Sequence, residues 1–522
     1  MKTRYFIAAL ALILAAAGCN KELDIPKHGN MGGMEEFYQT DEDAEAAVTA
    51  VYTSWRGIYQ NLYFLKNALA DDAWAGGGSR GDNSDYEKLN EYTFGTEHPA
   101  VEGLYTGLYS IIYNANLVIG RVADDTPVKK RAIAEAKFFR AWAHFELVSL
   151  WQIAPAVDHV LAPSEYKLPT GDPAVTWTLI ETDLTEAISS GALPSKQGVG
   201  DSETGIRVTK ETARALLGKA YVFQEKWDDA RTELDAVINS GLYNLYRGDY
   251  GDVLRMVANN STESLLEMQV RNDPNNAHFE FTELMCGWRF GTMDISSVNP
   301  AYADIATDAG YGFMNPRKSL YDAFVAREGA DGYRLNQTMK PYAFLRDEMN
   351  MPIRPGETVY GCEGYFFWKN RILLSESVMG YPNFRAWQAN NKRIMRYAEV
   401  LLLAAEAHLN GGDAGKAAKY VNEIRTRAKL APLGSVTMND VKIEKRLELC
   451  DEGCRFQDLV RWGDAQTVLA DQGKEVMSFN GTAAVVSFTN STYGFKAKHI
   501  VLPIPGKEIM LNENIHQLPN GW

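Results

Sequence analysis

Residues 209–240 read TKETARALLGKAYVFQEKWDDARTELDAVINS, and their spacing decides the fold. Leu217, Gly218 and Tyr221 recur at helical intervals. Ala230, Leu234 and Val237 do the same after a short break, and Trp227 opens this second run. The two runs describe a helical hairpin. Small residues let the two axes approach, and larger ones fill the groove between them.

Residues 397–427 repeat the arrangement with Ala405, Gly412, Ala417, Val421 and Ile424, and Asn410-Gly411-Gly412-Asp413 makes the turn. Both units match much of the tetratricopeptide pattern. Ala134, Ala136, Ala141 and Ala143, within residues 130–145, supply part of a third. Further upstream, Ala44, Ala47, Val48, Val51 and Tyr52 follow Asp41 at spacings of three and four, with Asp41 as the expected N-cap. Helical periodicity returns over residues 104–119 and 130–151. The stretch from Asp249 to Asn390 differs: it is rich in Gly, Pro, Asn and aromatics, with a short strand expected at 263–270. The expected fold class is mostly α, a tetratricopeptide-like helical-hairpin scaffold packed against a loop-rich, irregular ligand-binding region.

The boundaries follow from these shifts. A leader occupies residues 1–18, a tether 19–40 and an N-terminal helical region 41–245. A C-terminal region spans 246–522, loop-rich to 390, helical over 391–470 and closed by a tail. In the leader, Lys2 and Arg4 precede an apolar run, and Ala16-Ala17-Gly18 leads into Cys19. That order predicts a secretory signal cleaved before Cys19, with acylation of the new terminal cysteine. The apolar run is short of the roughly 20 residues a spanning helix needs. The expected mature form is a soluble body on a lipid tether.

The formal net charge is −14, or −16 once Lys2 and Arg4 are removed with the leader, which argues against nucleic acid as a partner. Cys286, Cys362, Cys450 and Cys454 lack paired metal spacing; Cys450 and Cys454 are expected on one face of a helix as small buried residues. Residues 76–81 fit G-x-G-x-x-G, but Leu69-Ala70-Asp71-Asp72-Ala73-Trp74 is no buried strand, and its two carboxylates would repel a pyrophosphate. None of the eight histidines stands in a metal or triad context, and His144 and His408 read as structural. No enzymatic activity and no cofactor are expected, although Asp82, Asp85 and Asp273 are oxygen donors of the type a structural Ca²⁺ takes.

Trp74 lies in a polar, Gly-rich stretch with Asp72, Arg80, Asn83 and Tyr86. An indole face beside carboxylate, amide and guanidinium groups suits a sugar, whose C–H face stacks while its hydroxyls take directed hydrogen bonds. Gly287-Trp288-Arg289-Phe290-Gly291 and Gly310-Tyr311-Gly312-Phe313 form a second aromatic cluster, with Trp288 and Tyr311 as its candidates. At each position the competing reading is core packing.

Several segments together resemble the SusD/RagB family of Bacteroidetes surface lipoproteins. They are Ala134-Glu135-Ala136-Lys137-Phe138-Phe139-Arg140-Ala141; Val208-Thr209-Lys210 leading into Ala213-Arg214-Ala215-Leu216-Leu217; and Arg396-Tyr397-Ala398-Glu399-Val400-Leu401-Leu402-Leu403 with Asn422-Glu423-Ile424-Arg425. Arg446-Leu447-Glu448-Leu449, residues 452–463, Leu502-Pro503-Ile504-Pro505 and Asn520-Gly521-Trp522 complete the series. Cys450 and Cys454 stand where the family more often has an apolar residue and a histidine. The resemblance implies a non-catalytic lipoprotein on the outer face of the outer membrane. It would capture an oligosaccharide or polysaccharide, or a peptide, and hand it to a SusC-like TonB-dependent transporter; a mainly structural lid is the other implied role. In this family the loop after the first long helix commonly contributes to the ligand face, which favours Trp74. Glu22 and Asp24 resemble its surface-export signal. Arg446, Arg455 and Arg461 read as structural partners of Glu448 and Asp458.

Overall fold

A computed structural model describes residues 37–273, 282–305, 309–378 and 387–522. The leader, Cys19 and the tether through residue 36 lie outside the described residues. Helix α1 (Asp41–Gly57) starts one residue earlier than expected in its cap, because Thr40, not Asp41, is the N-cap. The Thr40 hydroxyl accepts from Asp43 N (3.1 Å), and the Asp43 carboxylate accepts the Thr40 N–H (2.9 Å). Asp41 falls in the first turn, where negative charge opposes the helix dipole.

Helices α2 (Tyr59–Ala68), α3 (Pro99–Arg121), α4 (Pro127–Trp151), α5 (Pro173–Ser189), α6 (Lys210–Phe223) and α7 (Trp227–Asn239) follow. Beyond the loop-rich stretch come α8 (Tyr397–Asn410), α9 (Ala414–Arg427), α10 (Met438–Leu449), α11 (Arg455–Arg461) and α12 (Gly506–Leu511). Each of α3 to α6 packs on the next helix, and α8 packs on α6 and α7 while carrying α9 and α10. The scaffold therefore takes helices from both sides of the loop-rich stretch.

The small residues do what the hairpin pattern requires. A Cβ at Gly218 would lie 2.6 Å from Leu234 Cγ, so α6 and α7 meet there closer than any other residue allows. In the second hairpin Asp413 caps α9 by accepting from Lys416 N (3.0 Å). The two hairpins are joined through Asp235 of α7, which takes hydrogen bonds from His408 Nε2 (3.0 Å), the Tyr420 hydroxyl (2.8 Å) and Lys416 Nζ (2.8 Å). His144 is likewise structural: its Nδ1 faces the Arg140 carbonyl (2.9 Å) and its Nε2 accepts from Val157 N (3.1 Å). Those partners demand the neutral ring, and burial lowers its pKa to about 4.

Under α8 lies a buried ion network. Arg396 bonds Glu263 (2.6 Å), Glu448 (2.7 Å) and Glu452 (2.7 Å), all within the protein interior. Arg427 joins Glu263 and Glu448, and Arg334 joins Glu328, Glu444 and Glu448. Glu448 is thus taken by Arg334, Arg396 and Arg427. Of the three arginines read as structural, Arg461 does pair with Asp458 (2.9 Å) and also with Glu406 (2.6 Å). Arg446 instead reaches Asp72 (2.7 Å) and Asp71 (3.0 Å), and Arg455 reaches Asp71 (2.8 Å). Cys450 and Cys454 do not share a helix face: Cys450 ends α10 and Cys454 precedes α11, with Asp451 and Gly453 at positive φ between them.

The loop-rich layer holds small antiparallel sheets. They are built from β1 (Ala73–Gly76), β2 (Ser264–Met268), β3 (Phe313–Pro316), β4 (Met339–Pro341), β5 (Val359–Tyr360), β6 (Tyr365–Phe367), β7 (Lys392–Arg396), β8 (Glu475–Phe479) and β9 (Ala484–Thr489). The pairings are β1–β3, β2–β7, β4–β6 and β5–β8–β9, and β2 is the strand expected near residue 263. No helix among the described residues is long and apolar enough to cross a membrane.

Candidate ligand-binding site

The two aromatic stretches that the sequence keeps more than 200 residues apart are neighbours. Strand β1 pairs with β3, setting Trp74 opposite Asn315 and Gly76 opposite Phe313. Gly77 N then donates to Gly312 O (2.8 Å). Glycines make this junction possible. A Cβ on Gly310 would lie 2.3 Å from the Gly287 carbonyl carbon, and one on Gly361 2.7 Å from Gly76 Cα. Gly76 and Gly310 also sit at φ +72° and +122°, where L side chains are strained. Four chain segments therefore meet backbone to backbone. Of the G-x-G-x-x-G run, Gly76 and Gly78 serve close approach to Gly312 and Arg289.

Within residues 74–86, 74–76 belong to β1 and 84–86 open the short helix Ser84–Asn90, with a turn over 77–83 between them. Trp74 is buried (5% exposed), with Nε1 donating to Glu363 Oε2 (3.0 Å) and the Arg317 guanidinium 3.7 Å from the ring centre. Burial pulls the Arg317 pKa down to about 10. The indole is a wall of the junction; one face is under Arg317, so it offers no open platform. Asp72 is buried on Arg446, which corrects its reading as a loop carboxylate. Tyr86 is buried and stacks on Phe64 with centroids 4.4 Å apart. Trp288 is buried too, its Nε1 bonded to Phe367 O (3.1 Å) and its ring 6.0 Å from that of Trp368. For these four the packing reading prevails, because each finds a polar or aromatic partner in the interior.

Arg80 and Asn83 stand nearer the surface but are engaged. Arg80 forms a two-pronged pair with Glu91 (2.5 and 3.0 Å) and lies 3.5 Å over the Phe488 ring, while Asn83 Oδ1 caps the short helix by accepting from Tyr86 N. Tyr311 differs. It is 40% exposed, and its backbone is pinned by a hydrogen bond from its N–H to Leu284 O (2.9 Å). Beside the junction lies Arg289, which the sequence reading passed over. A Cβ on Gly78 would be 2.3 Å from its Nη1, and one on Gly312 2.9 Å from its Cβ, so the side chain runs between the two loops. Its guanidinium has no hydrogen-bond or ion-pair partner among the described residues. The alternation of Gly and aromatic residues around Arg289 was the signal that could have marked it.

Among the described residues this surface has Tyr311 as its open aromatic face, the free Arg289 guanidinium and the Gly78–Asp82 turn, where Gly78 N donates to Asp82 Oδ2 (2.7 Å). An aromatic face beside fixed donors and acceptors can hold a polyhydroxylated ligand. The three carboxylates considered for Ca²⁺ are not brought together: Asp82 takes Gly78 N, Asp85 pairs with Lys88 (3.4 Å) and Asp273 with Arg271 (3.4 Å). Among the described residues no three metal-binding side chains converge.

A sequence model of the SusD family matches residues 377–522, and one described as "Starch-binding associating with outer membrane" matches residues 35–222. SusD-like protein P2 of Formosa agariphila is 26% identical over 99% of both chains. A SusD-like protein of Bacteroides ovatus is 26% identical over 88% of this chain and 83% of its own. Among solved structures, a laminarin-binding SusD-like protein superposes with a TM-score of 0.77 at 27% identity, covering 93% of this chain and all of that one. Surface glycan-binding protein A from Bacteroides thetaiotaomicron, solved with laminarihexaose, gives 0.73 at 23% identity over 92% of this chain and all of that one, a likeness of fold.

Proposed function

The chain belongs to the SusD family, and on that premise we propose that it is a surface glycan-binding protein of the outer membrane that captures oligosaccharide and passes it to a SusC-like TonB-dependent transporter. It is a binding protein, not an enzyme. The observation that carries this reading is the whole-chain likeness, in sequence and fold, to a protein that binds laminarin. The ligand face is the β1–β3 junction: Tyr311 stacks on a pyranose, and Arg289 donates to its hydroxyls. Lipid on Cys19 holds the body at the membrane, and the tether lets it move over the transporter mouth.

Titration of the leaderless protein with laminarihexaose, other oligosaccharides and peptides tests the ligand class: micromolar to millimolar binding of a glycan is expected. Peptide binding alone would overturn it. Co-isolation with a TonB-dependent barrel from solubilised outer membranes tests the partner. Loss of membrane retention in Cys19→Ala tests the anchor.

A further inference from the structure

Of the large apolar side chains that stand exposed among the described residues, four are aromatic: Phe37, Tyr113, Tyr166 and Tyr311. Tyr311 belongs to the site above. Tyr113 and Tyr166, 50% and 64% exposed, line a single groove of about 500 Å³ elsewhere on the molecule. One wall is α3, where Tyr105, Tyr109 and Tyr113 recur every fourth residue and so rise along one face in steps of about 6 Å. The other walls come from the segment after α4, which carries Tyr166, and from α12 and the tail beyond it, with Glu508 at its edge.

The groove is built. Tyr109 is fixed by donating its hydroxyl to Pro155 O (2.7 Å), and its ring lies 4.9 Å from that of Tyr105. The Ser110 hydroxyl donates to Thr106 O, and the Asn114 amide donates to Ser54 Oγ (2.8 Å). The Glu508 carboxylate has no hydrogen-bond or ion-pair partner among the described residues. Among the described residues no cationic side chain lines the groove, so they offer an anionic ligand no counter-charge. Flat rings interleaved with hydroxyl, amide and carboxylate groups match the apolar face and hydroxyl rim of a neutral pyranose. The volume is that of a small-ligand site, whereas a stable protein partner needs a broad surface of 1,000 Å² or more.

We propose that this groove is a second saccharide-binding site, taking a neutral pyranose chain with Tyr113 and Tyr166 as its stacking residues. The proposal rests on the glycan-binding reading, and the groove shares no residue with the β1–β3 junction. Two modest sites on one rigid body raise the retention of a long polymer far more than that of a short oligosaccharide.

The test compares native gels containing laminarin, starch, xyloglucan or galactomannan with calorimetric titration of laminarihexaose. In a polymer that retards the wild type, Tyr113→Ala/Tyr166→Ala is expected to lose retardation at least fivefold, with its melting temperature unchanged. Its laminarihexaose affinity should stay within about twofold, because the Tyr311 site is intact. Tyr113→Phe/Tyr166→Phe should restore retardation, since the stacking faces return. Wild-type migration of the double Ala variant overturns the second site and leaves the first reading standing. Failure of every polymer to retard a wild type that binds laminarihexaose overturns the second site alone, and failure of both measurements overturns the first reading as well.

Discussion

The helical scaffold and the loop layer are held together by different physics. In the scaffold, contacts are made by side chains at regular intervals, as where Gly218 receives Leu234 and where Asp235 collects His408, Tyr420 and Lys416. Just before α8 the two layers meet through charge pairs in the interior, where Arg396 at the end of β7 is satisfied by three carboxylates. At the β1–β3 junction the contacts are backbone to backbone, made where side chains are missing. The first region tolerates distance in sequence because its pattern repeats. The second is fixed by single glycines, and beside them Tyr311 is left open. The contrast teaches that regular spacing and single glycines fix the chain by different means.

The largest effect is expected from Arg396→Met. It leaves Glu263, Glu448 and Glu452 short of their shared cation in the interior, which should cost about 3–5 kcal/mol in urea unfolding. Laminarihexaose affinity of the folded fraction should not change. A loss confined to binding would erase the distinction between scaffold and loop layer.

Acid should act on the scaffold next. The His144 pKa is lowered by burial to about 4, below the ordinary value near 6.5, so the folded state prefers the neutral ring. The stability this confers is complete above about pH 6.5 and falls as pH drops toward 4, by about 3 kcal/mol in all. Denaturation midpoints measured across that window should decline less in His144→Gln than in the wild type. Equal declines would place the acid sensitivity elsewhere.

Two glycine substitutions sharpen the comparison. Gly218→Ala pushes a methyl into Leu234 and should destabilise by about 1–3 kcal/mol without altering affinity. Gly310→Ala adds a Cβ against the Gly287 backbone at positive φ; a similar cost of about 1–3 kcal/mol should come with a clear loss of glycan affinity, because Tyr311 follows it. Smaller still is Trp74→Phe. It keeps a ring beneath Arg317 but drops the hydrogen bond to Glu363, for about 1 kcal/mol in thermal unfolding and no change in binding. Lost affinity in Trp74→Phe would return the indole to the ligand face.

Much of the scaffold was legible in the sequence because helical hairpins write their contacts at spacings of three and four, and Leu217, Gly218, Ala230 and Leu234 carry that record directly. The arginines of the closing segments were legible as structural, but not all their partners: Arg446 pairs across more than 370 residues with Asp72, a distance no local spacing encodes. The turn between Cys450 and Cys454 escaped notice because positive φ at Asp451 breaks a run that looks helical. At the candidate site the sequence pointed to two segments that the structure brings together, and misjudged which of their side chains face outward. Trp74, Tyr86 and Trp288 are aromatic in polar surroundings, yet each is drawn inward by a partner from a remote segment: Glu363, Phe64 and Phe367. Tyr311, between Gly310 and Gly312, is the candidate left 40% exposed.

The most direct test is calorimetric titration of laminarihexaose into the wild type and into Tyr311→Ala, with melting temperatures taken alongside. The β1–β3 junction as ligand face predicts at least tenfold weaker binding in the variant, about 1.4 kcal/mol, and an unchanged melting temperature. Wild-type affinity in Tyr311→Ala would contradict it.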